Sequence, residues 1–217
     1  MHLTEILWQL SWGLIYTVVV TITCSATGLA TGLLIACLSR APLPGLRGLL
    51  AVYTYVYRGV PVLVMLFIVY FGLPTIGVKV LPLVAMALSL GLISGAYLAE
   101  VFRGALESID QAEVVAAQAM GMTRFQIFIN IEVPQMLRFS IPGMVNEFTS
   151  VLKYSPFAYT VGIPEMTKQA MSLTATTLQG IEVYLCVGVM YFVVYRVLLI
   201  GVRWLERRYA VPGLSLT

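Results

Sequence analysis

Long apolar segments constrain the fold of this chain more than any other feature of its sequence. A helix needs about 20 apolar residues to cross the hydrocarbon core of a bilayer, and five segments approach or exceed that length. The composition, 59% hydrophobic and 11% charged, excludes both an ordinary soluble domain and a disordered chain. We therefore predict an all-α polytopic membrane protein, a single domain over residues 1–217, with five transmembrane helices at about 12–38, 49–71, 80–102, 136–162 and 181–202.

The predicted spans are not equally well marked. Residues 1–11 are expected to form a short amphipathic lead-in, with Trp8 and Trp12 at a membrane interface. Gly28 and Gly32 give the first span a small face for close helix packing, without indicating the partner helix. The fourth segment is less apolar than the others, and a hydropathy scan could miss it.

A polar interruption over residues 109–134 separates three of these segments from the other two. Asp110 is followed three residues later by Glu113, which is the spacing of a capping box at a helix start. Thr123 and Gln126 repeat that spacing and predict a second helix start. The interruption is therefore predicted to be a helix-turn-helix.

The turn and the end of this helix-turn-helix are also marked in the sequence. Gly121 stands where a helix C-terminus needs a left-handed residue. Pro134 is expected to end or kink the second helix. An apolar face at helical spacing should seek a partner surface, and it consists of Phe125, Phe128 and Ile129.

The spacing within residues 109–134 resembles the cytoplasmic coupling loop of bacterial ABC importer permeases. That loop reads E-A-A, three residues, G, nine residues, I-x-L-P. Here three residues separate Ala117 from Gly121, and nine separate Gly121 from Ile131. The resemblance implies a type I ABC importer permease fold, in which a loop helix over 111–120 inserts into a groove on an ATPase subunit.

Two positions depart from the family pattern. Val115 stands where the family has Glu, and Val133 stands where it often has Leu. Glu113 lies two positions from Val115 on another helix face, so we do not expect it to substitute for the missing acid. The residues predicted to couple this loop to an ATPase are Glu113, Val115, Ala116, Ala117, Gly121, Phe125 and Pro134.

Charged residues inside the predicted spans indicate where function could lie. Each costs about 2.5–3.5 kcal/mol at mid-bilayer on insertion scales, so such residues avoid lipid. Glu100 and Arg103 are three residues apart on one helix face, which favours a structural ion pair or interfacial snorkelling. A solvated path is the alternative, and its candidate residues are Arg58, Glu100, Asn146, Glu147, Lys153 and Ser155.

Short motifs around these residues are similar to signatures of the polar amino-acid subfamily of these permeases, the histidine/glutamine/arginine type. After Lys153 that subfamily commonly has Asp-Thr-Ser, whereas Tyr154, Ser155 and Pro156 follow here. The loss of an acid at this position disfavours a cationic amino acid as substrate. The matching motifs are Arg58-Gly59-x-Pro61, Ala99-Glu100-x-x-Arg103-Gly104, Pro134-Gln135, Asn146-Glu147-Phe148, Leu152-Lys153 and Gly162-Ile163-Pro164-Glu165-Met166-Thr167.

Basic residues are distributed unequally between the two sides of the predicted spans. The outer loops would carry only Lys79 and Lys168, the latter in a polar, Thr-rich loop expected over 164–180. The positive-inside rule then places the N-terminus outside and the C-terminus and the 109–134 loop in the cytoplasm. The inner flanks carry Arg40, Arg47, Arg103, Arg124, Arg138, Arg203, Arg207 and Arg208.

The resemblance implies a permease subunit of an ATP-driven, binding-protein-dependent importer of a polar amino acid in the bacterial inner membrane. Its implied partners are two ATPase subunits, a periplasmic or lipid-anchored binding protein, and a second permease, either a copy or a similar chain. ATP and Mg²⁺ would be bound by the ATPase, because this chain has no phosphate-binding loop, and we predict no cofactor on it.

Other classes receive less support from the residues. Cys24, Cys37 and Cys186 have no metal-ligand spacing, and no catalytic motif is present, so an enzyme is not expected. The basic residues are too dispersed for nucleic-acid binding. A stand-alone ion-coupled transporter or channel remains the alternative, since charges within spans would suit it. A degenerate permease half also stays open, because Val115 could be complemented by a paired subunit with the standard loop.

Overall fold

The computed structural model describes residues 3–40 and 45–209, with side chains described as far as Val202. These residues are helical almost throughout, which confirms the predicted all-α class. In the described ranges the α-helices are α1 (Leu3–Ser39), α2 (Leu46–Gly59), α3 (Val62–Phe67), α4 (Pro82–Met86), α5 (Leu92–Glu107), α6 (Gln111–Ala119), α7 (Arg124–Ile127), α8 (Val133–Tyr154), α9 (Met166–Thr177) and α10 (Gly180–Tyr209).

Tighter and wider turns join several of these helices without interrupting the helical path. A π-helical turn links α4 to α5, so that Pro82–Glu107 forms one continuous rod. Another links α7 to α8. The π-helical segments are Ile68–Gly72, Ala87–Gly91 and Phe128–Glu132, and the 3-10 segments are Leu73–Ile76 and Ser155–Val161.

Three helical segments in the described part of the chain are long and apolar enough to cross a membrane: Leu3–Ser39, Pro82–Glu107 and Gly180–Val202. A fourth is obtained if α2 and the helical segment after it count as one broken span. α8 has 22 residues but does not meet the same test, because it carries several charged and polar side chains. A fifth crossing at α8 therefore stays a prediction.

The second predicted span, 49–71, is not one straight helix. The helical axis bends by 105° between Leu46–Gly59 and Val62–Ile76. Val60 at the break is extended, with φ −94° and ψ 129°, as expected for a residue that precedes proline. Pro61 has no N–H to continue the ladder, and an apolar composition alone does not reveal this break.

The first predicted span and its lead-in are one continuous helix of 37 residues. Ile6 and Leu10 are buried in a cluster with side chains of α9 and α10, so the lead-in is part of the core. Trp8 and Trp12 are exposed, and their rings meet edge-on with centroids 6.5 Å apart. The lead-in is therefore helical, continuous with the first span, and packed on one side against α9 and α10.

The predicted polar loop over 164–180 contains a helix, α9. Glu165 caps it, accepting hydrogen bonds from the backbone nitrogens of Thr167 (2.8 Å) and Lys168 (2.9 Å). Ala170 and Leu173 are buried against α1 and α10, and this packing outweighs the poor helix propensity of its threonines. The connection between the fourth and fifth predicted spans is therefore largely helical, which its composition did not indicate.

The small face of α1 packs against α5. A Cβ placed on Gly28 would lie 2.6 Å from the Ser94 hydroxyl oxygen, and one on Gly32 would lie 2.8 Å from the Leu98 Cβ. Gly95 on α5 is equally confined by Thr31 of α1. The partner helix that the sequence left open is therefore α5 of the same chain.

Candidate functional site

The helix α6 begins at Asp110 in the manner that the sequence predicts, but only half of the expected capping box forms. The Asp110 carboxylate accepts a hydrogen bond of 2.9 Å from the backbone N–H of Ala112. Glu113 does not return to the Asp110 backbone. Its Oε2 instead accepts from Nε2 of Gln135 on α8 at 2.6 Å. The prediction that Glu113 completes a capping box with Asp110 is therefore wrong.

The turn between α6 and α7 is held by its own backbone and caps. Gly121 has φ +83°, in the left-handed region where glycine is favoured. The Met122 N–H donates to the Ala117 carbonyl at 3.1 Å. Thr123 and Gln126 form the complete capping box, with hydrogen bonds of 2.8 and 3.3 Å between side chain and backbone. This geometry defines the direction in which α7 leaves the turn.

Pro134 neither ends α7 nor separates it from the next helix. The chain stays helical from Arg124 to Tyr154, through the π-helical turn Phe128–Glu132. Pro134 occupies the first turn of α8, where the missing N–H is best tolerated. Of the two expected outcomes, that Pro134 ends the second helix is wrong, and that it kinks the helix stays a prediction.

The loop helices expose apolar side chains. Val115 is 60% exposed, Phe125 71% and Met120 84%, while Ala116 is exposed beside them. Ala117 faces inward and is only 5% exposed. We call the four residues Val115, Ala116, Met120 and Phe125 the loop surface. Exposed apolar side chains that lie together are typical of an interaction site, so an interaction role for the loop surface stays a prediction. Of the predicted apolar face, Ile129 is exposed and Phe128 is half-buried against the core beneath α5.

The charged residues of α2 and α5 form a connected cluster. The Glu100 carboxylate accepts from Arg103 at 2.8 Å and lies 3.9 Å from the Arg58 guanidinium. Arg103 also bonds Glu107 at 2.7 Å. The ion pair expected of Glu100 and Arg103 is present. Sequence reasoning missed Glu107, although its spacing of four residues from Arg103 is the usual one for a helical ion pair.

A cavity of about 610 Å³ opens beside this cluster, between α1, α2 and α5. Ile35, Leu50 and Leu106 supply part of its apolar wall. Arg47 lies at its edge and donates to the Ser39 carbonyl at 3.1 Å. The cavity therefore combines apolar walls with charged groups that are already engaged with one another.

Two cations of the predicted path lie over aromatic rings. The Arg58 guanidinium is 5.2 Å from the centre of the Tyr97 ring, and the Lys153 ammonium is 5.7 Å from that of Tyr195. Lys153 is exposed, and no carboxylate of the described residues pairs with it. No sequence spacing links these rings to their cations, so sequence reasoning missed both tyrosines.

The remaining path candidates lie along α8 and just beyond it. Asn146 is exposed and Glu147 is half-buried. Lys153 follows Asn146 by seven residues, which places the two on one face of α8. Ser155 is fully buried, and its hydroxyl donates to the Leu152 carbonyl at 2.8 Å. The structure thus joins Arg58 with Glu100, aligns Asn146 with Lys153, and leaves Ser155 inside the fold.

Several long apolar helices, together with charged residues inside the fold, define a polytopic membrane protein. The family model for binding-protein-dependent transport system inner membrane components matches residues 28–211. The chain belongs to this family. The resemblance to ABC importer permeases is thereby confirmed, and the family does not support a stand-alone ion-coupled transporter or channel.

Individual relatives agree with this assignment. The chain is 38% identical over 163 residues to the probable amino-acid permease YxeN of Bacillus subtilis, covering 74% of this chain and 73% of the relative. It is 34% identical over 170 residues to the permease HisQ of the Escherichia coli histidine/lysine/arginine/ornithine transport system, covering 73% and 75%. A solved amino acid ABC transporter with histidines aligns with TM-score 0.85 at 29% identity, covering 92% of this chain and 94% of that one.

Proposed function

We propose that this chain is the membrane subunit of an ATP-driven importer of a polar amino acid. The observation that carries the proposal is the loop surface, which is apolar, exposed and set on two capped helices. The relatives of the chain support an amino acid as the class of substrate. Two of them are named as permeases for amino acids, and a similar solved structure is an amino acid ABC transporter with histidines.

The complete transporter has further components in this proposal. Two permease subunits, either copies of this chain or this chain with a similar one, pair around a translocation path. Two ATPase subunits bind ATP and Mg²⁺ at the cytoplasmic face. A periplasmic or lipid-anchored binding protein delivers the amino acid, which agrees with the description of the family as binding-protein-dependent.

The charge distribution supports an orientation in the bacterial inner membrane. The N-terminus lies outside, and the C-terminus and the loop surface lie in the cytoplasm, where an ATPase can reach them. Arg40 and Arg47 flank the inner end of α1 and α2. Arg203, Arg207 and Arg208, which also support this orientation, lie beyond the described side chains.

The loop surface docks on the ATPase through α6. Ala116 permits close approach because its side chain is small and exposed. Val115 adds apolar area where the family has a charge, so this contact relies on burial rather than on an ion pair. The caps at Asp110 and Thr123 stabilise the first turns of α6 and α7, so that each helix keeps its shape when the ATPase closes.

The substrate path runs along the charged faces of α2, α5 and α8. Its residues are those that the sequence indicated: Arg58, Glu100, Asn146, Glu147, Lys153 and, at its buried edge, Ser155. The ammonium of Lys153 has no carboxylate partner among the described residues, so it suits the carboxylate of an amino acid. Tyr154 in place of an acid favours a substrate without a cationic side chain.

The proposal is tested by purifying the tagged chain in mild detergent and identifying what purifies with it by mass spectrometry. We expect an ATPase with a nucleotide-binding motif, alone or with a second permease. Vesicles containing the complex should then take up a neutral polar amino acid only when ATP is present. A chain that purifies alone and transports without ATP would overturn the proposal, and strong preference for arginine or lysine would overturn its substrate class.

A further inference from the structure

The helix α6 has few attachments to the rest of the chain. Among the described helices its main packing neighbour is α7, which has only four residues. Most of its side chains are exposed, and Ala117 is its buried residue. The backbone connects it at both ends through turns, at Ser108–Asp110 and at Gly121. Packing alone therefore does little to hold α6 against the membrane helices.

A side-chain hydrogen bond joins α6 directly to α8. Oε2 of Glu113 accepts from Nε2 of Gln135 at 2.6 Å, across 22 residues of sequence. Gln135 lies in the first turn of α8, and α8 also carries Asn146 and Lys153. A hydrogen bond to a charged acceptor is stronger than a neutral one. The bond thus joins the loop surface to the helix that bears the path residues.

The backbone route between the same two helices is irregular. It passes the left-handed turn at Gly121 and then the π-helical turn Phe128–Glu132. The π-helical turn is itself held beside the end of α1, because Glu132 lies 3.8 Å from Arg40, the residue that follows this helix. A movement of α6 that travelled only along the backbone would be absorbed at these points. The hydrogen bond between Glu113 and Gln135 bypasses both.

We propose that Glu113 is a positioning residue whose bond to Gln135 ties α6 to α8, so that displacement of the docked helix reaches the substrate path. This inference rests on the proposed function. It gives Glu113 a role that differs from docking, because its carboxylate is directed at the chain's own α8 rather than at an outside surface. Docking then falls to the apolar loop surface, and transmission falls to Glu113.

The inference is tested in vesicles containing the whole purified complex, by measuring amino acid taken up per ATP hydrolysed. Glu113→Ala should lower this ratio at least ten-fold while the amount of ATPase that purifies with the chain stays unchanged. Glu113→Gln should stay near wild type, because its amide oxygen can still accept from Gln135. Gln111→Ala, an exposed amide in the same helical turn, is the matched control and should have no effect.

Exchanging the carboxylate and the amide between positions 113 and 135 gives a second test. Gln135→Glu alone would set two carboxylates against each other and should lower the ratio as Glu113→Ala does. Combining it with Glu113→Gln restores one acceptor and one donor, and should recover transport. A wild-type ratio in Glu113→Ala, loss of ATPase from its complex, or no recovery in the double variant would overturn the inference. A wild-type complex without ATP-driven uptake would instead overturn the proposed function itself.

Discussion

The contact between α1 and α5 at Gly28, Gly32 and Gly95, which we call the glycine seam, differs in its stabilisation from the loop formed by α6 and α7. In the seam, glycines bring two backbones together, and a Cβ on Gly28 or Gly32 has no room. In the loop, a Cβ on Gly121 would have nothing within 4 Å, and side-chain caps at Asp110 and Thr123 begin the two helices. The seam depends on buried contacts, whereas the loop is held locally and leaves its apolar side chains exposed.

Because of this difference, substitutions in the two regions should change different properties: the stability of the subunit or its coupling to a partner. A substitution in the seam should act on the stability of the subunit, because displaced atoms there have no alternative position. A substitution on the loop surface should leave the subunit folded and act on a partner. Variants can therefore be ranked by which of the two properties they change.

The largest expected effect is that of Gly28→Val. Its Cβ would meet the Ser94 side chain at 2.6–2.8 Å, so α1 and α5 must separate. Overpacking of this kind costs about 1–3 kcal/mol, and more where backbones are in contact. We expect a clear drop in membrane abundance and in the thermal midpoint in detergent. Gly188→Val on α10, where the space is open, is the control, and equal midpoints for the two variants would contradict the tight seam.

Ala116→Trp is expected to leave the thermal midpoint unchanged and to weaken ATPase association at least ten-fold. The side chain is exposed, so tryptophan fits the free subunit but obstructs close docking. Co-purification of the ATPase measures this effect. Ala117→Trp is the comparison, because residue 117 is buried and should lower the midpoint as well. Identical behaviour of the two variants would show that the loop does not present one distinct face.

Gly121→Val should reduce uptake several-fold without preventing membrane insertion. A β-branched residue at φ +83° is strained by about 1–3 kcal/mol, which alters the turn between α6 and α7. Gly121→Asn should be milder, since asparagine tolerates the left-handed region. Uptake by vesicles measures the effect. Normal uptake by the valine variant would show that turn geometry is unimportant for coupling.

The smallest effect is expected at the cap of α9. Burial raises the pKa of Glu165, against the opposing effect of hydrogen bonds from Thr167, Lys168 and Tyr191. Because the folded pKa lies above the unfolded one, this contribution to stability is fully present below the unfolded pKa and is lost as pH rises through the folded value. Glu165→Gln should flatten that decline in thermal midpoints measured over pH. Parallel profiles for both proteins would contradict it.

The sequence predicted the parts of this fold that depend on local patterns. The helical class, the caps at Asp110 and Thr123 and the turn at Gly121 all follow from residue type and spacing. The break at Gly59–Pro61 did not, because hydropathy is insensitive to backbone direction. The helix α9 was missed because buried contacts with α1 and α10, rather than propensity, stabilise it.

In the candidate site, too, the sequence predicted contacts between residues close in the chain and missed those between distant residues. The pairing of Glu100 with Arg103 was predicted from spacing, and the structure contains it. The bond of Glu113 to Gln135 and the placement of Lys153 over Tyr195 join residues that are distant in sequence. A single sequence carries no signal for such contacts, so only the three-dimensional arrangement reveals them. The functions assigned to the site residues stay predictions.

The length of α1 has a consequence for the surrounding lipid. Its 37 residues span about 56 Å at the helical rise of 1.5 Å per residue, whereas a hydrocarbon core is about 30 Å thick. The helix must therefore tilt, extend beyond the bilayer, or thicken it locally. Because α5 is locked to α1 along the glycine seam, any change of tilt is shared by the helix that carries Glu100 and Arg103. The acyl-chain length of the surrounding lipid, which sets the bilayer thickness, is therefore expected to affect the tilt of both helices.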